Sequence, residues 1–165
     1  MITIDVGATV NGYIADSAYT FGVGEVSEVA QRLLDAGRDA LVAGITQAHP
    51  GNRVGDISAA VQHRVEAQGF SVVRSLVGHG VGRSYHEDPH IPNFGQSGRG
   101  PLLSEGMTIA IEPMITAGGP EVYVHDDEWS ISTEDGSLAA HFEHTVAITA
   151  EGPQILTENR VALLR

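Results

Sequence analysis

The spacing of apolar residues predicts two helices in the first half of the chain. Ser27 is a helix-capping residue, and apolar residues recur after it at helical spacing as far as Ile45. A second apolar stripe covers residues 57–68, with Asp56 as its expected cap and Gly69 as its stop. Because a short link joins two helices that each have one apolar stripe, we expect both helices to pack against the same face of a sheet.

The remainder of the chain consists mainly of short apolar runs that are rich in β-forming residues. These runs are SVVRSLV, MTIAIEPMI, EVYV and HTVAIT, and turns containing glycine, proline or aspartate separate them. The pattern predicts an antiparallel or mixed sheet rather than a second helical layer. Since the chain has no internal repeat and no low-complexity linker, we expect one α+β domain over residues 1–165.

Residues 1–21 predict a β-hairpin that places two aspartates on one face. Asn11-Gly12 is the strongest short hairpin signal, because a type I′ turn needs positive φ at both central positions. In the register that this turn sets, Asp5 and Asp16 lie on the same side, one diagonal step apart. Two anions held that close repel one another, and a shared cation would explain their placement. The alternative is a register shifted by one residue, with one aspartate solvated.

The charge balance limits the classes of partner. Nine basic residues against 21 acidic ones give a net charge of -12, which argues against a surface that follows nucleic-acid phosphates. No apolar run approaches the length of a membrane helix, and no signal-peptide pattern precedes the first strand. We therefore expect a cytoplasmic protein that binds neither nucleic acid nor a membrane.

Three further residues are candidates for a metal site. The chain has no cysteine, so a metal must be held by oxygen and imidazole ligands. His79 lies in GHGVG, directly after an expected strand over residues 71–77, and this is not the zinc motif HExxH. Glu112 closes an apolar strand over residues 107–111, and Glu143 opens one over residues 145–149. Each carboxylate has the alternative of being a solvated strand end, and a histidine beside glycines is weak on its own.

The set of five residues indicates a metal site more specifically than any single member does. Four carboxylates and one imidazole, each within or beside an apolar strand of one sheet, match oxygen-rich binding of two divalent ions such as Mn(II), Fe(II), Co(II) or Zn(II). The four negative charges would offset two divalent cations. The members of this set are Asp5, Asp16, His79, Glu112 and Glu143.

Four segments of the chain resemble the successive signature segments of type I methionine aminopeptidases, which have the pita-bread fold. They are IDVGATVNGYIADSAYTFGVG, GHGVGRSYHEDP, LSEGMTIAIEPM and AAHFEHTVAIT, and they occur in order over nearly the whole chain. The resemblance implies that Asp5 is a terminal ligand of one metal and that Asp16 and Glu143 bridge both. It implies that His79 and Glu112 complete the coordination of the second metal.

The resemblance also implies how a peptide or nascent-chain N-terminus is cleaved. Two metals would activate water, with Glu112 as general base and with His79 and His86 hydrogen-bonding the carbonyl region. His86 matches a histidine that contacts the substrate, and Tyr85 and Trp129 match side chains of the pocket or its rim. The run from Trp129 to Glu143 favours the methionine enzyme over the related prolidases and Xaa-Pro peptidases, which share this metal set.

Members of this family carry an upstream half that supplies part of the methionine pocket, and the chain begins inside that half. The resemblance therefore implies a pita-bread fold truncated at its N-terminus, either a fragment or a reduced homologue that binds metal or polypeptide without turnover. We expect an uncovered apolar face on the first hairpin. The chain would then be a homodimer, bind the missing segment or another partner, or be marginally stable.

Overall fold

The computed structural model describes residues 1–158, in which two helices and twelve strands follow one another. In chain order the elements are β1 (Ile2–Val10), β2 (Tyr13–Phe21), α1 (Glu28–Ile45), α2 (Val54–Glu66), β3 (Ser71–Val72), β4 (Gly78–Gly80), β5 (Glu87–Ile91), β6 (Thr108–Ile111), β7 (Met114–Thr116), β8 (Val122–Val124), β9 (Ile131–Thr133), β10 (Ala139–His141), β11 (His144–Thr149) and β12 (Gly152–Ile155).

The first hairpin has the predicted turn and the predicted register. Asn11 and Gly12 have φ values of 52° and 80°, as a type I′ turn requires. Asp5 pairs with Ala18 and Gly7 pairs with Asp16, so the two aspartates share a face. Every residue of β1 is exposed, whereas alternate residues of β2 are buried against the rest of the protein. The hairpin is thus attached through β2, and β1 forms its outer edge.

The two helices form where the apolar stripes predict them, with one correction at the start of α2. The Ser27 hydroxyl accepts a hydrogen bond from the Ala30 N–H at 3.2 Å and caps α1, as expected. Asp56 is not the N-cap of α2, because the helix begins at Val54 and Arg53 is its cap residue. Asp56 instead accepts the Arg53 backbone N–H at 2.7 Å from inside the first turn.

The strands form antiparallel sheets that share one hydrophobic core with the helices. A five-stranded sheet has the order β12-β11-β6-β4-β5, and a three-stranded sheet has the order β10-β7-β3. The core cluster includes Leu33 and Ile57 from the two helices and Ile109, Ile115 and Phe142 from the strand regions. The α+β prediction is therefore confirmed. No helix within residues 1–158 is long and apolar enough to cross a membrane.

The strand expected over residues 71–77 is wrong beyond Val72. The chain leaves the three-stranded sheet after Val73, whose N–H donates to the Met114 carbonyl at 2.9 Å. It re-enters a sheet as β4, so His79 lies within a central strand rather than in a loop after one. The apolar run thus contributes only its first two residues to a sheet, and the next strand, β4, begins after the run in a different sheet. The local pattern does not indicate this change of partner strand.

Glycines allow β4 to pack between its neighbours. A Cβ atom on Gly78 would lie 2.4 Å from the Ala110 carbonyl oxygen, and one on Gly80 would lie 2.2 Å from the Asp88 carbonyl oxygen. Larger residues would push the neighbouring backbone away. The glycines on either side of His79 thus permit the close strand packing that buries its imidazole.

Candidate metal centre

Three buried side chains converge from three strand regions. Asp16 lies on β2, His79 on β4, and Glu143 directly before β11. One ligand atom from each lies within 4.8 Å of the others. Their exposed fractions are only 4%, 5% and 2%. The sheet topology therefore collects two carboxylates and an imidazole at one water-poor point.

Hydrogen bonds between β2 and β11 fix the two acids beside each other. The Asp16 N–H donates to the Thr145 hydroxyl oxygen at 2.8 Å, and that hydroxyl donates to the Asp16 carbonyl at 2.8 Å. The Glu143 N–H donates to the Ala18 carbonyl at 2.8 Å. The Ser17 hydroxyl donates to the Glu143 carbonyl at 3.1 Å. These hydrogen bonds to the backbone thus hold the two acids beside each other although their carboxylates repel.

Glu112 joins the cluster from the end of β6. Its Oε1 lies 3.5 Å from His79 Nε2, and its side chain is 12% exposed. The Asn93 amide donates to the Glu112 backbone carbonyl at 3.0 Å and holds this position after the strand has ended. The predicted neighbourhood of His79 and Glu112 is therefore present in the structure.

Asp5 approaches from the exposed strand and is the most accessible of the five residues, with 52% of its side chain exposed. Burial raises its pKa, the charge of His141 opposes this rise, and Asp16 and Glu112 add to it. Asp5 Oδ2 lies 3.9 Å from His141 Nδ1, and His141 Nε2 lies 3.3 Å from Glu112 Oε2, so Asp5 stands at the edge of the cluster. Asp16, His79 and Glu143 form its centre, with Glu112 beside His79.

Glu143 is the most buried acid of the cluster. Burial, and after it the nearby charges of Glu112, Asp16 and Asp5, raise its pKa to about 9. Its Oε1 is buried and accepts no hydrogen bond from the residues that the structure describes. A buried carboxylate oxygen without a donor, facing three other acids, is costly unless a cation binds there.

The histidine presents the nitrogen that a metal needs. His79 Nδ1 lies 2.9 Å from the Gly80 carbonyl oxygen, which can only accept, so Nδ1 carries the proton. Nε2 faces the oxygens of Asp16, at 4.0 Å, and of Glu112, at 3.5 Å, and in the neutral tautomer with the proton on Nδ1 it offers a lone pair to them or to a cation. A lone pair surrounded by carboxylates is the arrangement of a metal ligand held by an outer hydrogen bond. The donor set therefore fits divalent ions.

Comparison of the chain with models of protein families identifies the family to which it belongs. The model of metallopeptidase family M24 matches residues 1–150. The chain belongs to this family. Its members are metallopeptidases, so the family itself implies divalent metal at a cluster of this kind.

Curated proteins that are similar to this chain include methionine aminopeptidases. The chain is 52% identical over 157 residues to the methionine aminopeptidase of Clostridium perfringens (strain 13 / Type A). It is 50% identical over 157 residues to methionine aminopeptidase 1 of Bacillus subtilis (strain 168). Each alignment covers 95% of this chain and 63% of the relative. The chain thus spans less than two thirds of the length of these relatives.

Solved structures that are similar to this chain include a methionine aminopeptidase and a dipeptidase. The methionine aminopeptidase of Thermotoga maritima matches with a TM-score of 0.93 and 48% identity, covering 95% of this chain and 63% of that one. A dipeptidase from Pyrococcus horikoshii OT3 matches with a TM-score of 0.73 and 25% identity, covering 94% of this chain and 38% of that one. The pita-bread fold of the M24 family is therefore confirmed, and the methionine aminopeptidases are the nearer of these two relatives.

The three predicted substrate residues lie in different places. His86 lines the cavity beside the cluster, and its ring centroid is 4.4 Å from that of His79. Tyr85 donates its hydroxyl to Asp16 Oδ1 at 2.8 Å. Burial raises the pKa of this phenol, and Asp16 raises it further. Trp129 lies between β8 and β9, is 86% exposed, and does not line that cavity. Its exposure excludes the core, and its role at the rim stays a prediction.

Sequence reasoning missed His141. Its Nε2 lies 3.3 Å from Glu112 Oε2, without the alignment of a hydrogen bond, and its Nδ1 lies 3.9 Å from Asp5 Oδ2. The Thr20 hydroxyl accepts the His141 N–H at 2.8 Å and donates to the His141 carbonyl at 2.8 Å. The spacing of two residues from Glu143 was the available signal, because alternate residues of an extended chain share a face.

Proposed function

We propose that the chain carries the catalytic part of a dinuclear-metal aminopeptidase that removes N-terminal, initiator methionine from nascent proteins or peptides. The observation that carries this proposal is a cavity of about 470 Å³ that combines an acidic end with an apolar wall. Asp5, Glu112, His86 and His141 line the polar end. The apolar lining includes Val73, Leu76, Val77, Met114, Val122 and Ile131.

This combination suits an N-terminal methionine. Its unbranched thioether side chain can fill an irregular apolar cavity, while its charged α-amino group lies at the carboxylates. Because substrate N-termini of this kind arise where proteins are made, we propose that the reaction takes place in the cytoplasm. We also propose that the chain forms a single domain. The similarity to methionine aminopeptidases supports this choice of substrate over others of the family.

Two divalent ions are proposed as the cofactor, with manganese, iron, cobalt and zinc as the candidates that suit oxygen and imidazole ligands. Asp16 and Glu143 would serve both ions, Asp5 one ion, and His79 with Glu112 the other. When bound, such ions polarise a carbonyl and generate a nucleophile from water at neutral pH. The buried, donor-free oxygen of Glu143 supports a cation at this place.

The protein's own groups would then move protons and orient the substrate. Glu112 lines the cavity and lies between two imidazoles, with His79 at 3.5 Å and His141 at 3.3 Å. In the proposed reaction it takes a proton from the attacking water and passes the proton toward the leaving amine. His86 lines the same cavity from an exposed loop and is placed to donate to the substrate carbonyl.

The test is metal-dependent release of methionine from Met-Ala-Ser in the presence of Co(II) or Mn(II). Glu112→Gln keeps the size of the side chain and removes the base, so we expect a loss of about 100-fold or more. Glu151→Gln is the matched control, because Glu151 is exposed in the turn between β11 and β12. Absence of metal-dependent release by the unmodified chain would contradict the aminopeptidase proposal for this chain.

The exposed strand β1 favours a second candidate, a protein that binds metal or polypeptide without turnover. Ile2, Ile4, Val6 and Val10 are each more than half exposed, and they form one continuous apolar face. Metal binding without methionine release would support this candidate. An Xaa-Pro dipeptide in the same assay tests the third possibility, a prolidase-type activity, which the 26% identity to the prolidase of Pyrococcus furiosus makes worth an arm of the experiment.

A further inference from the structure

The carboxylate of Asp16 has one oxygen with two hydrogen-bond donors and one to which no residue within 1–158 donates a hydrogen bond. Oδ1 accepts the Tyr85 hydroxyl at 2.8 Å and the Ser17 backbone N–H at 3.0 Å. Oδ2 faces His79 Nε2 at 4.0 Å. A carboxylate oxygen has two lone pairs, so the two donors on Oδ1 fill its capacity.

The two donors differ in how easily they can leave. The Ser17 N–H belongs to the residue next to Asp16 on β2 and stays with it. Tyr85 lies outside the strands and is 40% exposed, so its ring can swing into solvent by rotation about its side-chain bonds. The hydroxyl is therefore the displaceable partner of Oδ1.

A glycine on the hairpin makes room for this contact. Gly7 pairs with Asp16 across the first hairpin, and the Tyr85 ring lies against it. A Cβ atom on Gly7 would be 2.4 Å from both the Cε2 and the hydroxyl oxygen of Tyr85. The colliding atoms are the far end of a flexible side chain, so an alanine here would move the ring rather than the backbone.

We propose that Tyr85 is a displaceable cap on Asp16 that sets the order in which the two metal ions bind. The inference rests on the metal-binding part of the proposed function. The first ion binds through Asp16 Oδ2, His79 and Glu143, which already converge. A bridging Asp16 must also offer Oδ1, so the second ion binds only when it displaces the Tyr85 hydroxyl, and its affinity is lowered by the loss of that hydrogen bond.

The experiment is calorimetric titration of the metal-free chain with Mn(II) at one fixed pH. Tyr85→Phe removes only the hydroxyl, and we expect it to raise the affinity for the second ion by about threefold to tenfold, with the first ion unchanged. Tyr123→Phe is the matched control, because Tyr123 does not line the cavity beside the metal cluster and is similarly exposed at 44%. Its binding should equal that of the unmodified chain.

Gly7→Ala provides an independent route to the same effect, because it keeps the hydroxyl and pushes the ring away. We expect the second ion to bind more tightly in this variant as well. In the double variant the gains should not add, because Tyr85→Phe leaves no hydrogen bond for the alanine to break. Additive gains would show that the alanine acts by another route, and they would overturn the assignment to the hydroxyl.

The outcomes separate this inference from the proposed function. No metal binding by the unmodified chain overturns both. Two ions, or one ion, bound identically by the unmodified chain and by Tyr85→Phe overturn the cap while leaving the metal site intact. Weaker binding in Tyr85→Phe also overturns the cap, since it would mean that the hydroxyl positions Asp16 for the metal. Tighter binding of a second ion, or its appearance only in the variant, supports the cap.

Discussion

Glu143 shows how one residue links burial, repulsion and chemistry. Its carboxyl group is 2% exposed, its pKa is raised to about 9, and the Ala18 carbonyl holds its backbone in place. Such a group is unfavourable as an anion in the metal-free protein and favourable beside a cation. The same burial that makes it a candidate ligand therefore makes the metal-free protein sensitive to pH.

We expect the metal-free protein to lose stability as the pH rises. The pKa of Glu143 rises from 4.5 to about 9 on folding, so the folded state holds a proton that the unfolded state has released. This contribution is complete below pH 4.5 and is lost as the pH passes through about 9. Urea unfolding with a chelator present should give a falling free energy of unfolding between those values. Glu143→Gln should flatten the curve, and an equally steep curve would assign the dependence to other groups.

The ligand roles predict different metal losses from different residues. Asp16→Ala and Glu143→Ala should each lose both ions, because a bridging ligand serves both. Asp5→Ala should lose mainly one ion, because a terminal ligand serves one. Metal analysis of the purified variants measures this, with Asp35→Ala as a control acid on the exposed surface of α1. Equal metal content in Asp16→Ala and the unmodified chain would rule out bridging.

At the scale of elements, the contact between β2 and β11 controls the site. These strands are far apart in the sequence, and Thr145 joins them through two hydrogen bonds to the Asp16 backbone. The side chain of Thr145 is fully buried, so its hydroxyl has no water to replace these partners. The Thr145 hydroxyl thus helps to set the separation of Asp16 and Glu143, together with the hydrogen bonds between Glu143 and the backbone of Ala18 and the hydroxyl of Ser17.

Thr145→Val should therefore weaken both the fold and the site. Valine has nearly the same shape but leaves the buried Asp16 N–H without an acceptor, which costs about 1–3 kcal/mol in the free energy of unfolding. We also expect weaker metal binding, because Asp16 is no longer fixed beside Glu143. Thr9→Val on the exposed strand β1 is the control and should change neither quantity by more than about 0.5 kcal/mol. Unchanged metal binding in Thr145→Val would show that the site holds its geometry without this link.

At the scale of the whole molecule, the first hairpin has two unlike faces. The odd-numbered side of β1 carries Asp5 toward the metal centre, and the even-numbered side exposes Ile2, Ile4, Val6 and Val10. An exposed edge strand with an apolar face is a template for pairing with another chain. The family relatives are longer than this chain, which spans 63% of their length.

We expect this face to make the isolated chain self-associate at micromolar concentration. Sedimentation velocity should show species larger than the monomer, and the double change Ile4→Lys with Val6→Lys should restore the monomer while retaining bound metal. Val42→Lys, at an exposed apolar residue of α1, is the control and should leave the association unchanged. If the unmodified chain is a compact monomer that unfolds cooperatively on heating, the apolar face of β1 needs no partner to cover it.

Features that depend on near neighbours in the chain can be read from the amino-acid sequence alone. Asn11-Gly12 determined the register of the first hairpin, because few residue pairs tolerate two positive φ angles. Ser27 and the apolar stripe specified α1. Residue type and position at strands predict the five candidate ligands, of which Asp16, His79 and Glu143 converge in the structure. The resemblance of the signature segments then indicated the family that the comparisons confirmed.

Features that depend on partners distant in the sequence became visible in the folded structure. It placed His79 in a central strand, because glycines at 78 and 80 admit the neighbouring backbone. His141 lies beside Glu112, and the Thr20 hydroxyl holds it there through two hydrogen bonds to the His141 backbone. Trp129 is exposed to solvent. Local patterns give each residue a periodicity and a preference, but the choice of partner strand is made by packing across the whole chain.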